Sequence, residues 1–288
     1  MKKIIVILFA LLILAGCTSE KGYSKLSNGD DVIFTGPETS YTKQDLYQSL
    51  KYSSVTSIEK DILKKIAETL DVDFEAINKE ADEMVEMYLS MGYESLIISY
   101  YGSIDAFKEN YISSAVLTEL SKIYVNNNYD KFVADDKPVK MQMAYFDNEE
   151  TAQKLIDDIK AGSTFDMAAA NNGYESSCEV QVYLDSDELL PLNVKSYLNE
   201  TVSKGLSTII VVPNSSNDED GNTSENSKYY VLNIESRNVE EFKDEYIEAK
   251  INSLGEDSVK QYMFSNHEIK FFDQDIYEIM KEQYEVFE

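Results

Sequence analysis

Apolar and polar positions alternate most clearly between Val139 and Ala170. Val139–Phe146 has the composition of a strand, and the polar turn after it leads into a segment with apolar residues at helical spacing. Gly162 then ends that helix, and Phe165 opens a second one that is rich in alanine. The pattern predicts a strand, a helix, a glycine stop and another helix, in that order.

The residues before this stretch predict a short strand at Asp31–Gly36 and then a series of amphipathic helices. Serine, threonine and aspartate residues stand in N-cap positions, some of them with an acidic residue three positions later. We expect helices that start at Thr42, Thr56, Asp73, Glu94 and Ser103, the last of which runs to about Val125. The polar segment that ends at Pro138 is a candidate domain boundary.

The residues after Ala170 predict a mixture of strands and helices. The expected elements are strands at Val180–Leu184, Thr208–Val212 and Tyr229–Ile234, and a helical stretch capped by Ser186 that runs to Lys204. Pro213–Lys228 is rich in Asn, Ser, Asp and Glu, which predicts a solvated loop.

The C-terminal part predicts helices again. A long helix from Val239 to Ser265 is weakened in its middle by Gly255. Glu268–Phe272 has the pattern of a strand, and Asp273 is placed to cap a last short helix.

The overall composition bounds the domain count and the class of partner. A chain of 288 residues has room for about two domains at roughly 100–200 residues each. It carries 53 acidic and 26 basic residues, a formal charge of −27, and Arg237 is its single arginine. Nucleic-acid binding depends on Lys and Arg that neutralise phosphates, so this composition excludes a nucleic-acid partner. The acidity is typical of a well-solvated surface, and cation binding or the steering of client proteins is the alternative.

The N-terminus has the layout of a bacterial secretion signal. Two lysines precede an apolar run from Ile4 to Leu14, which is too short to span a bilayer but suits the core of a signal peptide. The sequence Leu-Ala-Gly-Cys that ends at Cys17 resembles the lipobox of bacterial lipoproteins. The resemblance implies cleavage before Cys17, a diacylglycerol thioether on its sulfur and acylation of the new amino group. An ordinary signal peptide with a chance cysteine, or a buried apolar strand, is the alternative.

With residues 1–16 removed, residues 17–30 would form a flexible tether. Lipid on Cys17 would leave Cys178 as the only free thiol, so we expect no intramolecular disulfide. We expect Cys178 to act as a small buried hydrophobic residue.

The central part of the chain resembles a parvulin-type prolyl isomerase. The resemblance rests on Val139–Ala170, on the passage Lys204–Val212 and on the closing strand Tyr229–Ile234. The helices before it resemble the chaperone region of SurA-like and PrsA-type foldases, and the lipobox agrees with a PrsA-type foldase lipoprotein.

This resemblance implies an α+β fold. A discontinuous, mainly helical chaperone domain would consist of residues 31–135 and 238–288, with a parvulin-like module inserted at 138–237. The module would be a small antiparallel sheet with surrounding helices. In the family the C-terminal strand pairs with the first one, which here means Glu268–Phe272 with Val32–Thr35.

The resemblance also implies a function and a location. The protein would be anchored through Cys17 on the outer face of a bacterial cell membrane and would shelter newly secreted, unfolded proteins. Whether it forms a homodimer is left open.

The residues of the implied site raise a question about catalysis. Parvulins hold proline in an apolar pocket beside two histidines on adjacent strands, and here Met143 and Tyr230 stand at those positions. We therefore assign no catalytic residue. The implied substrate-binding residues are Met143, Tyr145, Leu190, Val194 and Tyr230. The module would bind extended segments without turnover, and weak isomerase activity is the alternative.

Other chemistry has little support in the sequence. His267 is the sole histidine and lies outside the module, where a surface position is expected. Residues 216–227 are similar to a calcium loop but have serine at the first and twelfth ligand positions. We expect no metal and no cofactor. Two further classes stay open: a solute-binding lipoprotein of a transporter, which predicts two α/β lobes, and a purely structural surface protein.

Overall fold

The computed structural model describes residues 26–36, 39–174, 176, 178–201, 203–217 and 223–287. The chain divides into two compact units. The helical unit comprises the chain up to Leu120 together with Gly255–Glu288, and the sheet unit comprises Ser121–Leu254. The protein is α+β: two separate stretches of chain form a mainly helical unit, and the other unit contains a small antiparallel sheet with surrounding helices.

The first elements form a hairpin followed by four helices. In chain order these are β1 (Val32–Thr35), β2 (Ser40–Thr42), α1 (Lys43–Thr69), α2 (Phe74–Ser90), α3 (Glu94–Tyr101) and α4 (Ile104–Asn127).

The following elements belong to the sheet unit. They are α5 (Tyr129–Asp136), β3 (Val139–Phe146), α6 (Glu149–Lys160), α7 (Phe165–Asn171), β4 (Gln181–Tyr183), α8 (Leu192–Glu200), β5 (Gly205–Leu206), β6 (Ile210–Asn217), β7 (Thr223–Ser236), a 3-10 turn (Val239–Glu241) and α9 (Lys243–Ser253). The predicted strand, helix and second helix between Val139 and Ala170 are thus confirmed. The chain ends in the helical unit with α10 (Glu256–Ser265), α11 (Gln274–Gln283) and a 3-10 turn (Glu285–Phe287).

Four predicted helix caps are confirmed, and one of them is Ser103, whose hydroxyl oxygen accepts a hydrogen bond from the backbone amide of Ala106 at 3.0 Å. Thr42 and Asp45 form a reciprocal capping box at the start of α1. The side chain of Asp73 accepts a hydrogen bond from a backbone amide at the start of α2, and Asp273 does the same at α11. These side chains satisfy amide groups that have no partner within their helix, which is why each helix begins where it does.

The predicted helix start at Thr56 is wrong, because α1 runs through that position to Thr69. No glycine or proline lies between Lys43 and Thr69, so nothing in the segment ends the first helix. Glu59 has a different role from the one the capping pattern indicates. It is buried, and its Oε2 lies 3.3 Å from Nζ of Lys260 in α10.

The predicted strand at Glu268–Phe272 is also wrong. This segment has no ladder partner, and β1 pairs with β2 instead. A hairpin between neighbouring strands closes a much shorter loop than a pairing across the whole chain. The side chain of Phe271 is used in another way, since its ring packs edge-on against Phe287 with centroids 5.1 Å apart.

Charged side chains join the last helix of the helical unit to the first. Nζ of the buried Lys51 lies 2.8 Å from Oδ2 of Asp273 and 2.6 Å from Oδ2 of Asp275. The hydroxyl of Tyr47 also donates to Oδ2 of Asp273 at 2.8 Å. These contacts link the two separate stretches of chain that form this unit.

All pairings in the sheet of the sheet unit are antiparallel. The strand order is β4-β3-β7-β5, and β6 also pairs with β7. In the central pair, Met143 lies opposite Leu232 and Tyr145 lies opposite Tyr230. Because side chains alternate along a strand, the residues at odd positions of β3 share one face and those at even positions share the other.

Three predictions for this part of the chain need correction. Ser186 starts no helix, since α8 begins after Pro191, whose fixed φ suits a helix entrance. The predicted loop at Pro213–Lys228 is largely a ladder, because β6 and β7 stay paired out to Asn217 and Thr223. The predicted long C-terminal helix is broken at Gly255, which has extended backbone and separates α9 from α10.

A buried charge network fixes the two ends of the sheet unit to each other. Asp136, at the end of α5, accepts hydrogen bonds from the hydroxyl of Tyr246 and from Nζ of Lys250, both at 2.9 Å and both on α9. Burial, and next the hydrogen bond to Asp136, raise the pKa of Tyr246 far above its ordinary value. All three side chains are buried, so each depends on the others for its polar partners.

Across the described residues, no helix combines the length and the apolar composition that crossing a membrane requires.

Candidate functional site

The first candidate site is the face of the sheet that α8 covers, which we call the α8 face. Its buried apolar side chains are Val139, Met141, Leu190, Val194, Leu198, Ile210, Leu232 and Ile234. Met143, Val212 and Tyr230 pack against this cluster and are half-buried.

The α8 face contains the residues that the sequence analysis assigned to substrate binding. Met143, Leu190, Val194 and Tyr230 all belong to its apolar cluster. Met143 and Tyr230 are diagonal neighbours on adjacent strands, as the β3–β7 register requires. The ring of Tyr145 lies beside that of Tyr230, with centroids 5.2 Å apart.

Exposure on this face increases along β3. Val139 and Met141 are buried, Met143 is half-buried and Tyr145 is exposed. We call the accessible part, formed by Met143, Tyr145 and Tyr230, the open end.

Polar groups border the open end. Nζ of Lys228 lies 5.3 Å from the centroid of the Tyr145 ring and forms an ion pair with Asp147. A cavity of about 370 Å³ lies next to Tyr145 and continues to Tyr174 and Asn148.

The open end lacks a group that could exchange a proton near neutral pH. Burial, and next the neighbouring Tyr145, raise the pKa of Tyr230, so its phenol stays protonated. The thioether of Met143 carries no proton at all. Neither can replace an imidazole, whose pKa lies near neutrality. The open end therefore offers apolar and aromatic surface with hydroxyl groups at its rim.

The opposite face of the sheet contains a polar network that the sequence analysis missed. Nε2 of Gln142 donates to the carbonyl of Cys178 at 2.9 Å and to Asp166 at 3.1 Å. Its Oε1 accepts from Nδ2 of Asn233 at 2.9 Å. The available signal was a glutamine between two methionines in a mainly apolar strand.

Cys178 lies in the apolar core beside this network, as predicted. Burial, and next the charge of Asp166, raise the pKa of its thiol to about 11. The thiol therefore stays protonated and unreactive at neutral pH.

The second candidate site is a group of exposed apolar side chains in the helical unit, which we call the apolar tip. It extends from the end of α2 along α3, and its members are Met87, Met91, Tyr93, Leu96, Ile98, Tyr100 and Tyr101. Tyr100 is 77% exposed and Met91 is 58% exposed. The ring of Tyr101, a member of the tip, and the ring of Tyr88 both contact Phe107 of α4, with centroids 5.1 and 5.3 Å apart.

The composition of α3 explains this exposure. The helix is apolar on nearly every side, yet Ile97 is its only buried residue. A helix of this kind is normally buried on all sides, so α3 has apolar surface that the described part of its own unit does not cover. Contiguous exposed apolar patches of this kind mark interaction sites.

Other predicted features lie away from both sites or outside the described residues. His267 follows α10, with its Nδ1 2.8 Å from the carbonyl oxygen of Met263. In the part of the chain that the structure describes, no cluster of three His, Cys, Asp or Glu side chains could hold a metal ion. Cys17, the signal sequence and residues 218–222 of the calcium-like loop lie outside the described residues.

Comparison with known proteins finds a curated relative with low sequence identity. No protein-family model matches the chain. The foldase protein PrsA of Lactococcus lactis subsp. cremoris is 24% identical over 180 residues, a match that covers 58% of this chain and 56% of that protein. The chain thus spans about half the length of the curated relative that it matches. This similarity confirms the predicted resemblance to PrsA-type foldases.

Solved structures of PrsA proteins are similar to most of the chain. Foldase protein PrsA from Streptococcus pneumoniae covers 88% of this chain and 100% of its own, with 18% identity and a TM-score of 0.45. The peptidylprolyl isomerase PrsA from Bacillus cereus covers 89% of this chain and 99% of its own, with 16% identity and a TM-score of 0.46.

Proposed function

We propose that this protein is an extracytoplasmic foldase that holds newly secreted proteins while they fold, and that Cys17 anchors it to the membrane by a lipid. The observation that carries the proposal is the apolar tip. A chain with a formal charge of −27 keeps seven large apolar side chains exposed on one short stretch. The similarity to a protein named as a foldase supports this interpretation.

The chemistry of the tip suits clients of many sequences. Hydrophobic attraction has no directional requirement and is proportional to the apolar area removed from water, at about 25 cal/mol per Å². Met87 and Met91 add flexible side chains that adapt to different partners. The acidic surface elsewhere would keep a complex with an aggregation-prone client in solution.

The test compares exposed apolar residues inside and outside the tip. The double variant Met91→Ser, Tyr100→Ser removes apolar surface from the tip. Its matched control, Met167→Ser with Phe272→Ser, removes two side chains that are each 62% exposed elsewhere. We expect the tip variant to lose most of its ability to suppress light scattering by a chemically denatured client, while the control keeps it.

Equal suppression by both variants would remove the apolar tip from the proposal. Failure of the parent protein to suppress aggregation of any client would favour a purely structural surface protein.

We infer that the sheet unit binds extended segments at its open end without catalysing isomerisation. Catalysis of prolyl isomerisation must favour a twisted amide over a planar one, against a barrier of about 18–20 kcal/mol. Apolar and aromatic side chains at Met143, Tyr145 and Tyr230 can hold a proline ring, whereas Leu190 and Val194 are buried in the same apolar cluster and would only support that surface. The absence of the two histidines supports binding without turnover.

Cis/trans exchange of proline peptides, followed by NMR, separates this proposal from an active isomerase. We expect the parent chain to leave the uncatalysed exchange, which takes tens of seconds or longer, unchanged. The double variant Met143→His, Tyr230→His restores the family residues and should accelerate exchange. Clear acceleration by the parent, lost when Tyr230 is replaced by alanine, would show an active enzyme instead.

The anchoring part of the proposal rests on the lipobox that ends at Cys17. In bacteria that express the gene, we expect the parent protein in the membrane fraction with a lipid mass on its N-terminal peptide. The variant Cys17→Ser should appear in the soluble secreted fraction or as the uncleaved precursor. A parent protein found without lipid would contradict the anchor but not the holding function. A separate measurement, the molecular mass of the purified protein in solution, would decide whether it is a homodimer.

The described residues give no support to a solute-binding lipoprotein. That class predicts two α/β lobes, whereas the described residues form one five-stranded antiparallel sheet and a separate two-stranded hairpin.

A further inference from the structure

A second cavity in the sheet unit lies at the beginning of β3, the opposite end of that strand from Tyr145. It has a volume of about 480 Å³, enough for a small organic molecule or a terminal residue of a peptide. Val139, Leu190 and Leu198 form its apolar part. These side chains belong to the α8 face, so the cavity borders the buried part of the same apolar cluster, away from the open end.

Arg237, the single arginine of the chain, lines this cavity. Its Nε and Nη2 are buried and have no hydrogen-bond partner among the described residues. An arginine stays charged at neutral pH, and a buried charged donor without a partner is costly. Burial lowers the pKa of Arg237, which agrees with a guanidinium withdrawn from water. Buried polar groups of this kind call for an explanation such as an absent ligand.

Two more cations border the same space. Lys137 and Lys195 line the cavity with Arg237, and among the described residues that line it only Asp185 is acidic. This balance is the reverse of the chain as a whole, which has about two acidic residues for each basic one. Lys137 also has a left-handed backbone, with φ at +43°, a conformation that costs energy for a residue with a side chain.

We propose that this cavity binds a carboxylate attached to an apolar group, with the guanidinium of Arg237 as the principal anchor. The planar fork of arginine can donate two parallel hydrogen bonds to the two carboxylate oxygens. Lys137 and Lys195 add positive charge at the entrance, and Val139, Leu190 and Leu198 receive the apolar group. Asp185 and the acidic surface of the chain disfavour ligands with several negative charges, which selects a monoanion.

The same chemistry has two sources: the C-terminal carboxylate of a polypeptide whose last residue is apolar, and a free organic acid. Either would reach the cavity independently of the apolar tip and of prolyl turnover. The proposal therefore does not depend on the proposed function of the protein.

The test measures binding by calorimetry to the full chain in a neutral detergent. One probe is 3-phenylpropionate, a free acid, and the other is a short peptide that ends in leucine, with its C-terminal amide as the matched uncharged probe. Loss of charge-assisted hydrogen bonds should weaken binding about tenfold or more in Arg237→Gln and for the amide. Lys195→Gln, on a helix surface, should weaken binding by a smaller factor, and Lys160→Gln, an exposed lysine elsewhere in the unit, should change nothing.

The outcomes separate the two sources and decide the proposal. Binding of the peptide acid with rejection of its amide identifies a chain terminus, and binding of 3-phenylpropionate alone identifies a free acid; both support the cavity. Binding that Arg237→Gln and Lys195→Gln leave unchanged would overturn it. Absence of binding by either acid to the folded parent would overturn it as well.

Discussion

Helix α6 of the sheet unit and helix α3 of the helical unit use apolar residues in opposite ways. In α6 of the sheet unit, Ala152, Leu155 and Ile156 are all buried against the sheet. In α3 of the helical unit, Ile97 is buried while Leu96 and Ile98 remain exposed. Helix α6 has a single apolar stripe, which packs against the sheet. Helix α3 has apolar residues on more sides than its unit covers.

This difference separates side chains that stabilise the fold from side chains that are free to bind. Apolar area that is already buried contributes to folding and is no longer available to a partner. On the α8 face of the sheet unit, the accessible part is the open end formed by Met143, Tyr145 and Tyr230. Substitutions should therefore affect stability in one region and binding in the other.

The largest effect is expected from the buried charge network of the sheet unit. Asp136→Ala leaves the ammonium of Lys250 buried without its counter-charge, which should lower the free energy of unfolding by about 3–5 kcal/mol. Asp130→Ala, an exposed aspartate on the same helix, is the control and should have little effect. Urea unfolding followed by circular dichroism measures both. A loss below about 1 kcal/mol for Asp136→Ala would mean that the network contributes little to folding.

The next largest effect is expected when a leucine of α6 is truncated, and the same change in α3 gives a direct comparison. Leu155→Ala should lower the free energy of unfolding by about 2–5 kcal/mol, because it opens a cavity in a packed core. Leu96→Ala should stay within about 0.5 kcal/mol, because that side chain is exposed in the native state. The same unfolding measurement applies to both variants. Similar losses in the two variants would show that the apolar tip is part of a folded core.

A smaller effect is expected from the polar network behind the sheet. Gln142→Leu removes the partner of Asn233 and of the Cys178 carbonyl, and should cost about 1–3 kcal/mol of stability. Gln153→Leu changes an exposed glutamine and should be nearly neutral. Thermal unfolding of the two variants gives the comparison. A neutral Gln142→Leu would indicate that water or neighbouring groups can replace these hydrogen bonds.

The smallest effect concerns pH and the helical unit. Burial opposes ionisation of Asp273, but hydrogen bonds from Lys51, the Ile276 amide and Tyr47 outweigh it and hold the pKa of Asp273 below its ordinary value. A carboxylate with a lowered folded pKa stabilises the fold above its unfolded pKa of about 3.9, and this stabilisation disappears as the pH falls through the folded pKa.

Asp273→Asn keeps a helix cap but removes the charge, and should cost about 1 kcal/mol at pH 7. Stability curves from pH 7 down to pH 3 should converge for parent and variant at the acidic end. A constant difference across this range would show that the charge of Asp273 contributes nothing.

The sequence predicted local structure well where a feature depends only on residues that are a few positions apart. The caps at Thr42, Asp73 and Asp273 depend on a side chain and an amide a few residues away, so the pattern alone was sufficient. The N-cap pattern at Thr56 gave a wrong prediction because a capping motif marks a helix start only where the preceding helix has ended. No residue between Lys43 and Thr69 ends α1.

Other features depended on partners that are distant in the chain. The burial of Glu59 against Lys260 and the packing of Phe271 on Phe287 each involve a choice among several charged or apolar partners. The packing of the whole unit determines which partner is chosen, and the spacing of apolar residues along the chain cannot predict it.

The amino-acid sequence by itself determined the helix caps at Thr42, Asp73 and Asp273, the strand–helix–helix order after Val139 and the excess of acidic residues. Only the tertiary structure decided that α3 keeps its large apolar side chains other than Ile97 exposed, and that Nε and Nη2 of Arg237 are buried with no hydrogen-bond partner among the described residues. The physical reason is that burial and pairing belong to three-dimensional neighbours. A sequence states which groups need partners, and the folded chain decides which of those groups receive one.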